Sequence, residues 1–163
     1  MTASKVERLL KNIIGELNVS AGLSHRQNHG QDCSYHIGKH PDLVAWPQST
    51  LEVMEIAKVC SQYKFPIVAY GTGTGLEGGL SAEQGGLCLN LQKMDGILDY
   101  SPEDFNVTVQ PGTTRYTLFE IFIFCPKIQL WFPEKNCQNA AVLDFLAVDN
   151  FDFTRKFVKK KFG

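Results

Sequence analysis

The densest chemical signal in this 163-residue chain is Gly71-Thr72-Gly73-Thr74-Gly75-Leu76-Glu77-Gly78-Gly79, five glycines in nine positions. Glycines spaced this way let the backbone take positive φ angles and approach a ligand without Cβ clashes. Successive amide N–H groups can then converge on an anion, typically a phosphate. Three phosphate-loop readings compete. A Walker A loop needs a lysine followed by Ser or Thr after its glycines, and no lysine follows these. Residues 73–78 match GxGxxG, but that fingerprint must open a helix crossing to the next strand. Only 80–86, with Gly85-Gly86 among them, precede the strand pattern at Leu87–Leu91. That is too short for a crossover helix, so a nicotinamide-binding domain is disfavoured. The third reading is a long loop that cradles a pyrophosphate with main-chain amides and the Thr72 and Thr74 hydroxyls. A flexible surface loop is the plain alternative. Against it, the loop leaves directly from a buried-strand pattern, and its glycines alternate with threonines where a linker would use serines.

A second cluster, His25, His29, Cys33, His36 and His40, carries ligand types suited to zinc, with His pairs at i, i+4. Neither pair falls in a convincing helical pattern, and Gly30 and Gly38 interrupt the spacing. No metal site is expected. The five cysteines, Cys33, Cys60, Cys88, Cys125 and Cys137, are odd in number and never form CxxC. They read as reduced thiols of an intracellular protein, two or three of them serving as small core residues.

The elements that position the loop follow from periodicity. Val6, Leu9, Leu10, Ile13 and Leu17 repeat at helical spacing behind a Ser4–Glu7 capping box. Lys5, Arg8 and Lys11 would suit a targeting presequence, but Glu7 and Glu16 would not, so a surface helix packed on the domain is expected. Asn18 to His40 reads as a connecting loop. Leu43 to Trp46 is a short buried strand closed by Pro47. Ser49 with Glu52 caps a helix carrying Val53, Ile56, Ala57 and Cys60 and ending near Tyr63. Ile67 to Tyr70, apolar on both faces, predicts a covered parallel strand. Strand, helix and strand make a βαβ unit. After the Asp95-Gly96 turn, Ile97 to Tyr100 reads as the returning strand. Phe105, Val107 and Val109 alternate with polar residues in another half-buried strand, ended by Pro111-Gly112. The fold class is therefore α/β, or α+β, a βαβ unit followed by a β meander.

Composition sets the outer bounds. The length suits about one domain and could bury roughly 70 % of the unfolded surface. Hydrophobic residues at 44 % and charged residues at 20 % exclude wholesale disorder. No apolar run approaches ~18 residues, so no transmembrane helix is expected. The net charge of −1 gives no nucleic-acid-binding signature, but it hides an asymmetry. Residues 154–163 hold five of the sixteen basic residues and no acid, so eleven bases face seventeen acids in the first 153, a net of −6. That basic end reads as a frayed, solvated terminus. The apolar run Phe119 to Phe124 reads as a buried segment.

Several motifs now share one order and spacing. They are His29-Gly30-Gln31-Asp32, Pro41-Asp42-Leu43-Val44-Ala45-Trp46-Pro47 and Ala69-Tyr70 with the whole glycine string 71–79. Gly85-Gly86-Leu87, Met94-Asp95-Gly96-Ile97-Leu98, Pro102-Glu103-Asp104 and Val109-Gln110-Pro111-Gly112 continue them. Over roughly 25–115 the chain resembles the FAD-binding PCMH-type domain of the vanillyl-alcohol oxidase flavoproteins, nearest the FAD-dependent D-lactate dehydrogenase branch. The resemblance implies an incomplete, N-terminal lobe of that domain, with 1–40 as helix and loop, 41–115 as the lobe and 116–163 as a divergent tail. It implies FAD as cofactor, with Tyr70, Gly71, Thr72, Gly73, Thr74 and Gly75 at the pyrophosphate and ribose. Pro111, Gly112 and Thr114 are implied as further contacts, and Trp46-Pro47 as lining the same groove. Some relatives attach flavin covalently through a loop histidine. None lies between Ala69 and Gly86, so binding there would be non-covalent.

The activity implied for the family is oxidation of a 2-hydroxy acid, a base taking the hydroxyl proton while the C2 hydride passes to flavin N5. A mitochondrial location is implied as well. No residue of this chain can be assigned as the base. Beyond Thr114-Arg115 only Leu130-Trp131-Phe132-Pro133 echoes the family. An alternative exon, retained intron or altered reading frame would explain residues 116–163. On that view the chain is a catalytically inactive, truncated product with weak or no FAD binding.

Overall fold

The computed structural model describes residues 2–101, 104 and 106–118. Expectations for Pro102-Glu103, Phe105, the 119–124 run, Leu130 to Pro133, Cys125, Cys137 and the basic end lie outside the described residues.

Helix α1 (Thr2–Ile14) places Val6, Leu10 and Ile14 on one buried face. The helix is already under way at Ser4, so Ser4 does not cap it, and Leu17 lies past its end, almost fully exposed. The interval expected as a bare loop instead contains strand β1 (Val19–Ser20) and helix α2 (Leu23–Asn28). Both are short enough to leave no periodic signature. Strand β2 (Leu43–Ala45) is buried throughout. Helix α3 (Thr50–Gln62) starts where its cap predicts, the Glu52 amide donating to Ser49 Oγ at 3.3 Å. Glu52 Oε2 reaches back to the Gln48 amide at 2.7 Å, closing the box one residue earlier than the usual pairing. Ile56 and Cys60 face inward from α3 against α1, while Ala57 stays exposed.

Strands β3 (Ile67–Tyr70) and β4 (Leu87–Asn90) complete a four-stranded sheet in the order β1-β2-β4-β3. β2, β4 and β3 run parallel, and β1 joins β2 antiparallel. The βαβ unit therefore leaves a gap that β4 fills, and β2 and β3 are not neighbours. Among the described residues β3 stands at the sheet edge with Ile67 and Ala69 exposed, not covered on both faces. The connection from β3 to β4 contains no helix.

Strand β5 (Ile97–Ser101) does not return onto β4, because β2 and β3 already occupy both of β4's edges. It pairs instead with β6 (Asn106–Val109) as a separate antiparallel two-stranded sheet, with an irregularity between Ile97 and Asp99. The core lies between α1, α3 and the inner face of the first sheet, where Leu10, Leu43, Ile56 and Leu87 are essentially inaccessible. Two of the expected core thiols are buried, Cys60 in this core and Cys88 on β4, where it alternates with Leu87 and Leu89. Burial pushes them up to about 11 and about 12. Cys33 is exposed.

Candidate functional site

In a parallel sheet the carboxyl ends of the strands are where connecting loops diverge and ligands bind. Here the register places Ala45, Leu89 and Ala69 level, and Tyr70 opposite Asn90. Three segments leave from that end. Trp46-Pro47 follows β2, the glycine loop follows β3, and Leu91 follows β4. The Leu91 amide donates to the Tyr70 carbonyl at 3.0 Å, which ties the last two exits together.

Glycine is required by conformation at Gly73 and Gly78, each with a φ of 75°. A Cβ at Gly73 would lie 2.8 Å from Tyr70 Oη, so the tyrosine folds beneath the loop it precedes. Gly71 is buried, and Thr72 and Thr74 bring their hydroxyls to 3.3 Å of each other. The loop is held from the side by the segment before β2. The Cys33 amide donates to the Gly75 carbonyl at 3.0 Å, and its thiol reaches the Gly73 carbonyl at 3.6 Å. Further along, the Lys39 amide donates to Ser81 Oγ at 2.9 Å and the Gly86 amide to Asp42 Oδ2 at 2.8 Å.

Asp32 sits beside Gly75 and near the end of the loop. Desolvation pushes its carboxyl up, but the Ser34 hydroxyl and amide and the field of the Leu80 and Gly78 amides outweigh it. The group is held below the ordinary carboxylate value. The Ser34 amide donates to Oδ1 at 3.0 Å, while Oδ2 is buried without a hydrogen-bond partner. This negative charge lies toward Gly75–Leu80, so the Tyr70–Thr74 end of the loop suits an anion better.

The remaining predicted contacts have evident packing roles. The Gly112 amide donates to the Met94 carbonyl at 2.7 Å, and a Cβ there would run into the Leu91 carbonyl. Pro111-Gly112 is thus docked on the turn that leaves β4. Thr114 caps a helical turn at 115–118, its Oγ1 accepting from the Thr117 amide at 3.2 Å. The hydroxyl also meets Thr117 Oγ1 at 3.0 Å.

His29, which the sequence marks as a metal-ligand type and as part of the His29-Gly30-Gln31-Asp32 motif, stands where the strand ends meet. Its ring is tilted against Tyr70 at 4.5 Å and edge-on to Trp46 at 5.6 Å. Its Nε2 lies 2.8 Å from Asn90 Nδ2, and its Nδ1 lies 2.7 Å from the His25 carbonyl. Both His29 and Asn90 are buried. Asn90 was read only as part of a strand, and nothing local in the chain links it to a histidine 61 positions away. Among the described residues no group of His, Cys, Asp and Glu is arranged to hold a metal, and no helix is long and apolar enough to cross a membrane.

The loop's chemistry fits a phosphate-bearing cofactor: positive-φ glycines, paired hydroxyls and a position at the parallel strand ends. Comparison with known proteins gives the same cofactor. A family described as "FAD binding domain" matches residues 41–133. The "Probable D-lactate dehydrogenase, mitochondrial" of Danio rerio is 45 % identical over 131 residues, which are 78 % of this chain and 26 % of that protein. The "D-lactate dehydrogenase [cytochrome], mitochondrial" of Arabidopsis thaliana is 36 % identical over 126 residues, 76 % of this chain and 22 % of that protein. The chain thus spans about a quarter of the length of these relatives. Among solved structures, a p-cresol methylhydroxylase superposes with a TM-score of 0.74 at 20 % identity, over 85 % of this chain and 28 % of that one. An alkyldihydroxyacetonephosphate synthase gives 0.76 at 17 % identity, over 88 % and 29 %. These two likenesses establish the fold.

Proposed function

This chain belongs to the FAD binding domain family, and from that premise we propose that it holds FAD in the groove at the carboxyl ends of β2, β4 and β3. The observation that carries the site is the glycine loop's departure from the end of a parallel strand, in register with the exits of two others. Tyr70, Gly71, Thr72, Gly73, Thr74 and Gly75 face the pyrophosphate and ribose, the amides and the two hydroxyls acting as donors. Pro111, Gly112 and Thr114 border the groove through the turn docked on Leu91 and Met94. Binding is non-covalent at the glycine loop, which holds no histidine. The lobe comprises residues 41–115.

By analogy with the D-lactate dehydrogenases named above, we propose a 2-hydroxy acid as the family-level substrate and mitochondria as the location. Bound FAD supplies a two-electron acceptor for the C2 hydride of such a substrate. The described residues contribute binding and orientation. None is placed here as the base.

The test is direct. The purified chain is expected to quench FAD fluorescence saturably, and Gly73→Ala to weaken that affinity at least about tenfold, or ~1.4 kcal/mol. A Cβ at positive φ costs about 1 kcal/mol of backbone strain and pushes on Tyr70. Unquenched FAD with the folded wild-type chain refutes the reading.

A further inference from the structure

The amide of Asn90 has only one orientation consistent with its neighbours. Its Oδ1 accepts the Gln92 amide at 2.9 Å, so its NH2 must face both Gln92 Oε1 at 3.0 Å and His29 Nε2 at 2.8 Å. A nitrogen that receives an N–H is unprotonated, so His29 carries its proton on Nδ1 and donates it to the His25 carbonyl. A second proton on Nε2 would set two donors against each other in a buried place. The ring held this way touches Trp46 beyond β2, Tyr70 at the end of β3 and Asn90 at the end of β4.

Resting on the FAD reading above, we propose that neutral His29 is a positioning residue of the cofactor groove: it clamps Trp46 and Tyr70 at the three strand ends, and its protonation releases the clamp and weakens FAD binding. His29 itself does not touch the reacting atoms. The groups that face it are His25 from its own helix, Trp46 after β2, Tyr70 on β3 and Asn90 on β4, of which His25 is the other imidazole. Desolvation lowers the His29 pKa from its usual 6.5, the His25 carbonyl opposes this, and the His25 charge reinforces it. The release is therefore expected below pH 6.5.

Two readouts test the clamp in the full chain. The first is FAD affinity by fluorescence quenching across pH, with circular dichroism confirming each variant's fold. His29→Ala is expected to lose about tenfold or more in affinity at neutral pH. His29→Gln, whose Oε1 can still accept from Asn90, is expected to recover most of that loss and to abolish the acid-side fall. A folded His29→Ala chain with wild-type affinity at every pH overturns the proposal, as does an acid-side fall that persists in His29→Gln.

The second readout needs no flavin. Trp46 emission is followed in a Trp131→Phe background, where a protonated imidazole edge-on to the indole quenches it. His25 also meets Trp46, with ring centres 5.2 Å apart, so His25→Gln serves as the control. With His25→Gln in that background an acid-side step should remain, and the double variant His25→Gln/His29→Gln should lose it. A step that persists in the double variant, or no step with His25→Gln alone, refutes the clamp. A wild-type chain that ignores FAD refutes the proposed function, while the emission step still decides the inference.

Discussion

The α1–α3 layer and the loops at the carboxyl ends of the sheet belong to one small molecule but are held by different forces. Val6, Leu10, Ile56 and Cys60 bury apolar surface between helix and helix and against Leu43 and Leu87. The loop region is joined mainly by hydrogen bonds between distant segments, Cys33 to Gly75, Lys39 to Ser81, Asp42 to Gly86 and His29 to Asn90. Tyr35, Ile37 and Leu76 in these segments are largely exposed. Apolar burial gives most of the folding free energy, whereas net hydrogen bonds are individually modest and depend on geometry. The difference teaches that the helical layer sets whether the chain folds and the polar latches set how the loops meet at the strand ends. Regions with few buried apolar contacts open first, which suits a site that must admit a large cofactor.

The contrast can be broken most strongly in the apolar layer. Ile56→Ala leaves a cavity in a fully inaccessible site and is expected to cost about 2–5 kcal/mol in chemical denaturation. Where the variant remains folded, FAD affinity should hold. A large loss of affinity in the folded fraction would show that the two regions are coupled. Asp42→Ala strips the Gly86 amide of its carboxylate acceptor at the entry to β4. It should cost about 1–3 kcal/mol. Hydrogen exchange should speed up in 33–42 and 73–86 before it does in α1 and α3. Uniform exchange across both regions would erase the distinction.

The smallest effect is the pH dependence, and its sign is set by His29. Burial lowers its folded pKa below 6.5, so on acidification the unfolded chain takes up the proton first. The stability this group contributes is fully present above pH 6.5 and is lost as pH falls through the window between 6.5 and the lowered value. Denaturation midpoints should therefore drop on the acid side for wild type and respond less in His29→Gln. A midpoint that rises on acidification through that window contradicts the assignment.

Much of the framework was legible along the chain. Ser49 and Glu52 announced α3, the apolar spacing of Val6, Leu9, Leu10 and Ile13 announced α1 although Ile14 and not Leu17 completes its buried face, and five glycines in nine residues marked the loop. The Ser4 cap misled because the helix had already begun. β1 and α2, at two and six residues, were invisible for want of a full period. The glycine density also marked where positive φ falls, at Gly73 and Gly78, although Gly71, Gly75 and Gly79 take none.

What the sequence by itself determined, then, is the longer local elements, the absence of a helix between β3 and β4, and a glycine-rich loop between them. Each rests on interactions among residues close in the chain. Only the tertiary structure decided that β4 enters between β2 and β3, that β5 turns away to pair with β6, and that His29 meets Trp46, Tyr70 and Asn90. A strand shows the same alternation whichever neighbour receives its hydrogen bonds, and a buried histidine has the same residue type whichever asparagine completes it. Those choices are made by non-local pairing and burial, and they are what bring a glycine-rich string to the meeting point of three strand ends.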